Sequence, residues 1–225
     1  MPASGGTIGA VFEDRNRGDA AEGGVEDAAL QSAAEGDRDP VGALLDAYRP
    51  RLRRMVGLRL DPRAKGRFDT SDVLQEAFIE ASQRLDRYLG EAPDERMPFF
   101  LWVRFLVGQK LLQFHRTHLG ALGRAADREV QLTQPSGPEA STYSVASVWL
   151  AESGTPSQAA SAEEEHAKVR EALDSMNEID REVLVLRHFE QLSNVEVARV
   201  LDLSPQAASA RYVRALTRIQ ALVGE

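Results

Sequence analysis

Three arginines, Arg211, Arg214 and Arg218, recur at steps of three and four near the C-terminal end of the 225-residue chain, beside Ala207 and Ala210. The stretch from Ser204 to Val223 that contains them holds no acidic residue. On a helix advancing 100° per residue the three fall within ~60° of one another. Guanidinium groups over a floor of small side chains suit guanine edges and phosphates in a DNA major groove. Three cations alone hold DNA weakly, because affinity scales with the number of phosphates neutralised. A second array has the opposite character: Asp72, Glu76 and Glu80 at a spacing of four, with Gln75 and Ile79 between them. Charge, hydrogen bonding and an apolar contact on one ridge suit a protein partner better than DNA.

The elements that must carry these arrays are signalled locally. Ser193 and Glu196 form a capping box, S-x-x-E, that opens a short helix through Leu201. Asp202 and Leu203 then make a tight turn, Ser204 caps the next helix and Pro205 takes its first position, where a missing N–H costs nothing. This is helix-turn-helix punctuation. Ala208, Tyr212, Ala215, Leu216, Ile219 and Val223 share the side expected to bury. A helical hairpin with a solvated arginine face is the simpler alternative.

Upstream, Val41, Leu44, Leu45, Tyr48, Leu52, Met55 and Val56 trace one helical face, which Pro50 is expected to kink or divide. Leu74, Phe78, Ala81, Leu85 and Tyr88 continue the period in DTSDVLQEAFIEASQRL, residues 69–85 and just beyond. Pro98 precedes a third helix, FFLWVRFLVGQKLLQFHR, with Phe99, Trp102 and Leu106 turned inward. Farther on, Val169, Leu173 and Met176 form one short stripe, and Ile179, Val183, Leu186 and Phe189 another. Strand signals are nearly missing. The expected fold is therefore all-α, with two small helical domains joined by a flexible linker.

Charge and composition set the boundaries. Residues 1–39 carry nine acidic and three basic groups and lack helical periodicity, as expected of an acidic mobile tail. Residues 40–119 form the first domain. Residues 120–166, with QPSGPEAST and ESGTPSQAASAEEE, read as a linker in which only YSVASVWL, residues 143–150, is apolar enough to dock on a domain or a partner. Residues 167–225 form the second domain. A formal net charge of −8 argues against indiscriminate coating of nucleic acid. The absence of cysteine excludes disulfides and thiolate zinc sites. The first residues hold no apolar core for a signal peptide, and no uninterrupted membrane span follows, so a cytoplasmic protein without membrane contact is expected. His115 and His118 lack a third ligand, and no phosphate loop or nucleophile elbow is present, so no catalytic residue, metal or cofactor is expected.

Taken in order, these segments resemble a bacterial RNA polymerase sigma factor of the sigma-70 family, extracytoplasmic-function (ECF) group. YRPRL, DTSDVLQEAF and FFLWVRFLVGQKLLQFHR resemble the parts of sigma region 2, and IDREVLVLRHFEQLSNVEVARVLDLSPQAASARYVRAL resembles region 4. The resemblance implies a transcription initiation factor that binds RNA polymerase core and directs it to specific promoters. It implies that Asp69, Asp72, Gln75, Glu76, Ile79 and Glu80 meet the clamp helices of the largest polymerase subunit. It places Trp102, Arg104, Gln109, Lys110, Gln113 and Arg116 at the minus-10 element, and Gln206, Ala207, Ala210, Arg211, Arg214 and Arg218 at the minus-35 element. Gln109 and Gln113 stand where relatives often have Asn and Asp, and Ser209 replaces a common basic residue. The alternative is a stand-alone helix-turn-helix regulator that binds an operator without polymerase. Control from outside the chain is expected, through an anti-sigma factor or through a Ser/Thr kinase acting at Thr70 or Ser71, where added negative charge would favour the helix N-terminus.

Overall fold

A computed structural model describes residues 23–64, 66–119, 139–153 and 159–223, and among them there are helices and turns but no strand. The first half comprises α1 (23–34), α2 (Asp39–Arg59), a short 3-10 turn (Pro62–Ala64), α3 (Thr70–Leu89) and α4 (Phe99–Leu119). The second holds α5 (Thr142–Ser153), α6 (Ala159–Asp174), α7 (Glu178–Leu184) continued by a π-helical turn (Val185–Phe189), α8 (Asn194–Val200) and α9 (Pro205–Val223).

Three sequence expectations change. Residues 1–22 of the expected tail lie outside the described residues, but its remainder does not behave as a tail: 23–34 is helical and buries Ala29, Leu30 and Ala33. The alanine-rich composition that suggests low complexity also has the highest helix propensity, and a docked face supplies what propensity cannot. Glu26 on α1 accepts from the Tyr48 hydroxyl and from the Phe99 backbone N–H at 3.1 Å, closing the N-terminus of α4 from a distant segment. Pro50 does not divide α2, which runs unbroken from Asp39 to Arg59. Tyr48 on one side of the proline and Leu52, Met55 and Val56 on the other bury into the same core, and that packing outweighs one lost backbone hydrogen bond. Within the expected linker, 142–153 is a helix with Val145 and Ala146 completely buried.

Helix α3 starts where its own side chains dictate. The Asp69 carboxylate accepts from the Ser71 and Asp72 amides at 2.6 and 3.1 Å, and Asp72 returns the bond to the Asp69 N–H at 2.7 Å. Val73, Leu74, Ala77, Ala81, Leu85 and Tyr88 form its buried face against α4, whereas Phe78 is only half-buried beneath the Arg49 guanidinium. Helix α4 is apolar nearly all round because it is packed between α2, α3 and the second half of the chain. In the second half Val169, Leu173, Met176, Val183, Leu186 and Phe189 bury as their spacing implies, and Ile179 stays 40% exposed.

The halves meet. Ser141 donates its N–H to the Leu58 carbonyl at 2.8 Å, Arg54 pairs with Glu152 at 3.1 Å, and Arg54 also donates to the Phe189 carbonyl at 3.4 Å. Removing two buried methyl groups costs ~0.8 kcal/mol each plus a cavity contribution. Val145→Ala should therefore lower stability by ~2 kcal/mol in urea denaturation; a freely tethered linker helix would leave the midpoint unchanged.

Candidate functional site

Helix phase and packing divide the candidate residues into those that face outward and those that are held inside. On α3, Asp72, Gln75, Glu76 and Ile79 are all exposed and adjoin one another on the helix surface. Ile79 is 45% exposed, the one large apolar side chain on that ridge left uncovered. Asp69 and Asp72 also form the capping box. Glu80 turns aside: its carboxylate pairs with Lys110 of α4 at 2.7 Å and with Arg84 at 2.5 Å. Thr70 and Ser71 are half-exposed at the helix start, and the Ser71 hydroxyl accepts from Arg53 at 3.2 Å.

The α4 set separates. Trp102, Gln109, Gln113 and Arg116 lie within ~60° of one another, and Gln113 and Arg116 are exposed. Trp102 is half-buried, its ring 4.5 Å from Tyr88 and 5.6 Å from Phe99, so one edge packs and the rest meets solvent. Lys110 is occupied by Glu80. Arg104 does not join this face: it is 1% exposed and donates to Glu190 at 2.8 Å. Its phase, roughly opposite Trp102, already pointed away from the others.

In the second half, the capping box between Ser193 and Glu196 is formed in both directions. Asp202 takes a positive φ of 51°, a left-handed conformation that Asp tolerates, and the Ser204 hydroxyl accepts from the Ala207 N–H at 3.1 Å. Asn194 donates to the Pro205 carbonyl at 2.7 Å, tying the two helices of the motif together. Ala208, Tyr212, Ala215 and Ile219 are buried. Gln206 and Ala210 face outward, with Ala207 half-buried beside them. The arginines lean to one side: Arg211 pairs with Asp180 of α7 at 2.6 Å, Arg214 approaches the same carboxylate at 3.5 Å, and Arg218 donates to the Ser175 hydroxyl at 3.0 Å. The outermost apolar side chain on α9 is one the spacing argument passed over, Val213, at 56% exposure. Its phase beside Gln206 and Ala210 would have found it.

Between the halves lies a buried ion cluster that no local pattern announces. The α7 helix ends in a π-helical turn, in which the Glu190 N–H reaches the Val185 carbonyl at 3.0 Å, and Gln191 follows with φ 59°. That ending turns Glu190, 1% exposed, into the first half, where its carboxylate accepts from Arg59 and Arg104; Arg59 also pairs with Glu182. Burial alone would raise the Glu190 carboxyl, but the guanidiniums of Arg104 and Arg59 outweigh it and hold the group below the usual glutamate range. At the other end of α4, His115 is buried enough to be held below the usual histidine range, and its Nε2 accepts from the Asp61 N–H at 3.3 Å. No helix among the described residues is long and apolar enough to cross a membrane.

Comparison with known proteins identifies what the chain is similar to. The family model "Sigma-70, region 4" matches residues 166–219, which contain the whole helix-turn-helix. The RNA polymerase sigma factor CnrH of Cupriavidus metallidurans is 30% identical over 159 residues, covering 69% of this chain and 73% of CnrH. The ECF RNA polymerase sigma factor SigD of Mycobacterium tuberculosis is 26% identical over 194 residues, 86% of this chain and 82% of SigD. The solved structure of CnrH in complex with the cytosolic domain of CnrY shares the fold, with a TM-score of 0.50 at 22% identity, over 89% of this chain and 97% of that one. Among the described residues the chain is helical, with an exposed acidic ridge on α3 and a helix-turn-helix in its second half, and its relatives are promoter-recognition factors. The chain belongs to the sigma-70 family of RNA polymerase sigma factors, in its ECF group. Its function is promoter-specific transcription initiation, and the stand-alone regulator is not favoured.

The depressed Glu190 carboxyl has a consequence in acid. A folded-state value below the unfolded one contributes stability that is complete above ~4.3, the ordinary glutamate value, and is lost as pH falls through the folded value. Urea denaturation at stepped pH should therefore show the parent more stable than Glu190→Gln near neutrality. The gap should narrow below pH ~4; a gap independent of pH would contradict the assignment.

Proposed function

We propose that three outward ridges divide the labour of initiation. Gln75, Glu76 and Ile79, with Asp72 at their head, dock on polymerase core, the clamp helices of the largest subunit being the surface implied by the family resemblance. Trp102, Gln109, Gln113 and Arg116 on α4 meet the melted minus-10 strand, where aromatic stacking and cationic contacts suit single-stranded DNA. Gln206, Ala207 and Ala210, flanked by Arg211, Arg214 and Arg218, enter the major groove of the minus-35 element. The observation that carries the proposal is the α3 ridge: an exposed isoleucine set among an exposed glutamine and carboxylate, on a helix whose other apolar side chains turn inward.

Asp180 has a part in the minus-35 contact. It holds Arg211 against the body of the domain, so Arg214 is the arginine more exposed to a phosphate or base edge, with 58% of its side chain accessible. Val213 and Ala210 offer methyl groups beside Gln206, a surface suited to a thymine methyl next to an adenine. Such a protein works where polymerase works, in the cytoplasm. A protein that binds the chain from outside, of the anti-sigma kind, is the control we favour; CnrH, which shares the fold, forms a complex with the cytosolic domain of CnrY. Phosphate on Ser71 would lie beside Arg53, which would hold it against the start of α3.

Run-off transcription with purified core should depend on the chain. Ile79→Asp should weaken core binding by about 30-fold, the scale of an interface anchor worth ~2 kcal/mol, while circular dichroism stays helical. Wild-type affinity in that variant would remove the docking ridge from the reading. In selection of minus-35 sequences from a random pool by the complete holoenzyme, Val213→Ser should lose preference for thymine at one position and keep the rest. An unchanged selected sequence would dismiss the methyl contact.

A further inference from the structure

Helix α1 supplies more than an apolar patch. Its inward stripe is Glu26, Ala29, Leu30 and Ala33, spaced by three and four, so an acid heads an otherwise apolar face. The half-buried carboxylate has donors from different elements. One oxygen accepts from the Phe99 backbone N–H at 3.1 Å, and the other accepts from the Tyr48 hydroxyl.

The bond to Phe99 falls where α4 lacks a cap of its own. Pro98 has no side-chain oxygen to offer, and Trp102 makes the first intrahelical bond, its N–H reaching the Pro98 carbonyl at 3.0 Å. Phe99, Phe100 and Leu101 lie ahead of that bond, so their amides have no partner within the helix. Glu26 caps the first of them from 73 residues away, and its negative charge stands at the positive end of the helix dipole.

The consequence reaches the DNA face through Trp102. It is the first residue of α4 held by a helical backbone bond, so fraying of the residues before it would free it first. Its ring rests on Tyr88 and Phe99 at 4.5 and 5.6 Å, and Phe99 in turn lies 5.5 Å from Tyr88 and 6.5 Å from Tyr48. Tyr88 also anchors the loop ahead of the helix, donating its hydroxyl to the Met97 carbonyl at 2.7 Å. Burial and, after it, the Glu26 charge push the Tyr88 phenol well above the usual tyrosine range, which keeps that hydroxyl a donor. One carboxylate therefore bears on the backbone, the ring stack and the loop that together present Trp102.

We propose that Glu26 is a positioning residue for minus-10 recognition: by capping α4 at Phe99 it fixes the orientation in which Trp102 meets the melted strand. The proposal rests on the functional reading of α4 given above. It gives a segment that the sequence reads as tail a part in DNA recognition, exercised through α4 without contact with DNA. Stacking on a base gains affinity only so far as the ring is held ready, so loss of the cap lowers affinity for the strand by the fraction of molecules in which Trp102 is misplaced. The α3 ridge stands on another helix with its own capping box at Asp69 and Asp72, so core binding is spared.

Trp149→Phe leaves Trp102 the sole tryptophan, so emission then reports its surroundings directly. In that background Glu26→Ala should move the emission to longer wavelength and increase its quenching by acrylamide, with helical circular dichroism retained. Holoenzyme carrying Glu26→Ala should bind a single-stranded minus-10 oligonucleotide, of the sequence that the parental holoenzyme selects from a random pool, about tenfold more weakly, the scale of one lost N-cap. Affinity for core should stay at the parental value. Glu26→Gln, which keeps an acceptor and loses the charge, should fall between, and it decides the matter should Glu26→Ala not fold. Tyr48→Phe, which removes the other donor and leaves the Phe99 bond, should keep parental emission and strand affinity. Parental emission in the folded Glu26 variants would overturn the proposal, as would equal losses in Tyr48→Phe and Glu26→Ala, or a loss of core binding as large as the loss of strand binding. A parental holoenzyme that selects no strand would remove α4 as the minus-10 reader instead, and the emission of the free variants would still judge whether Glu26 positions the ring.

Discussion

Placing one carboxylate between two guanidiniums, all out of contact with water, constrains the rest of the molecule. Glu190 can be buried only if Arg59 and Arg104 are both there to meet it, since an unpaired charge at that depth costs several kcal/mol. That requirement fixes the relative positions of α2, α4 and the end of α7. It explains the π-helical turn and the left-handed Gln191, which together turn the helix end into the neighbouring half. Buried ion pairs add little net stability compared with apolar packing, but they are intolerant of misregistration. The cluster therefore specifies one docking geometry more than it stabilises it.

Around this centre the helices divide their surfaces by a common rule. On α3, α4 and α9 apolar side chains turn toward the core, and ion pairs to neighbouring helices decide which charges remain on the outer ridge. Lys110 draws Glu80 off the acidic ridge of α3 and is itself drawn off the α4 face. Asp180 draws Arg211 to the side of α9 and leaves Arg214 and the low, partly apolar surface of Gln206, Ala210 and Val213 outermost. In the proposed reading, affinity for polymerase and selectivity for DNA fall to different helices, which suits a chain of net charge −8 that is to bind DNA without coating it.

Much of this was available from local pattern. The capping box at Ser193, the turn at Asp202 and Leu203, and the buried stripe from Ala208 to Ile219 follow from side chains within four residues of one another, and the structure forms each of them; the equally local box at Asp69 emerged only in the structure. Arg104 was misassigned by motif order, although helix phase alone places it opposite Trp102. Helix 23–34 escaped because alanine and glutamate serve equally in a tail and in a helix that has found a surface, whereas for α5 the apolar run of 143–150 allowed for docking and only its place inside a linker composition hid the helix. The integrity of α2 through Pro50 likewise depended on what lay against it.

The chain's residues by themselves determined the helical class, the helix starts, the recognition motif and the opposite characters of α3 and α9. These properties arise from interactions between near neighbours in sequence, through backbone geometry and spacing. Only the tertiary structure decided which charged groups face solvent, that the two halves close on each other, and that Glu190 stands at their junction. Partners 86 and 131 residues apart meet through packing, and whether a charge is exposed, paired or buried depends on what packing brings beside it.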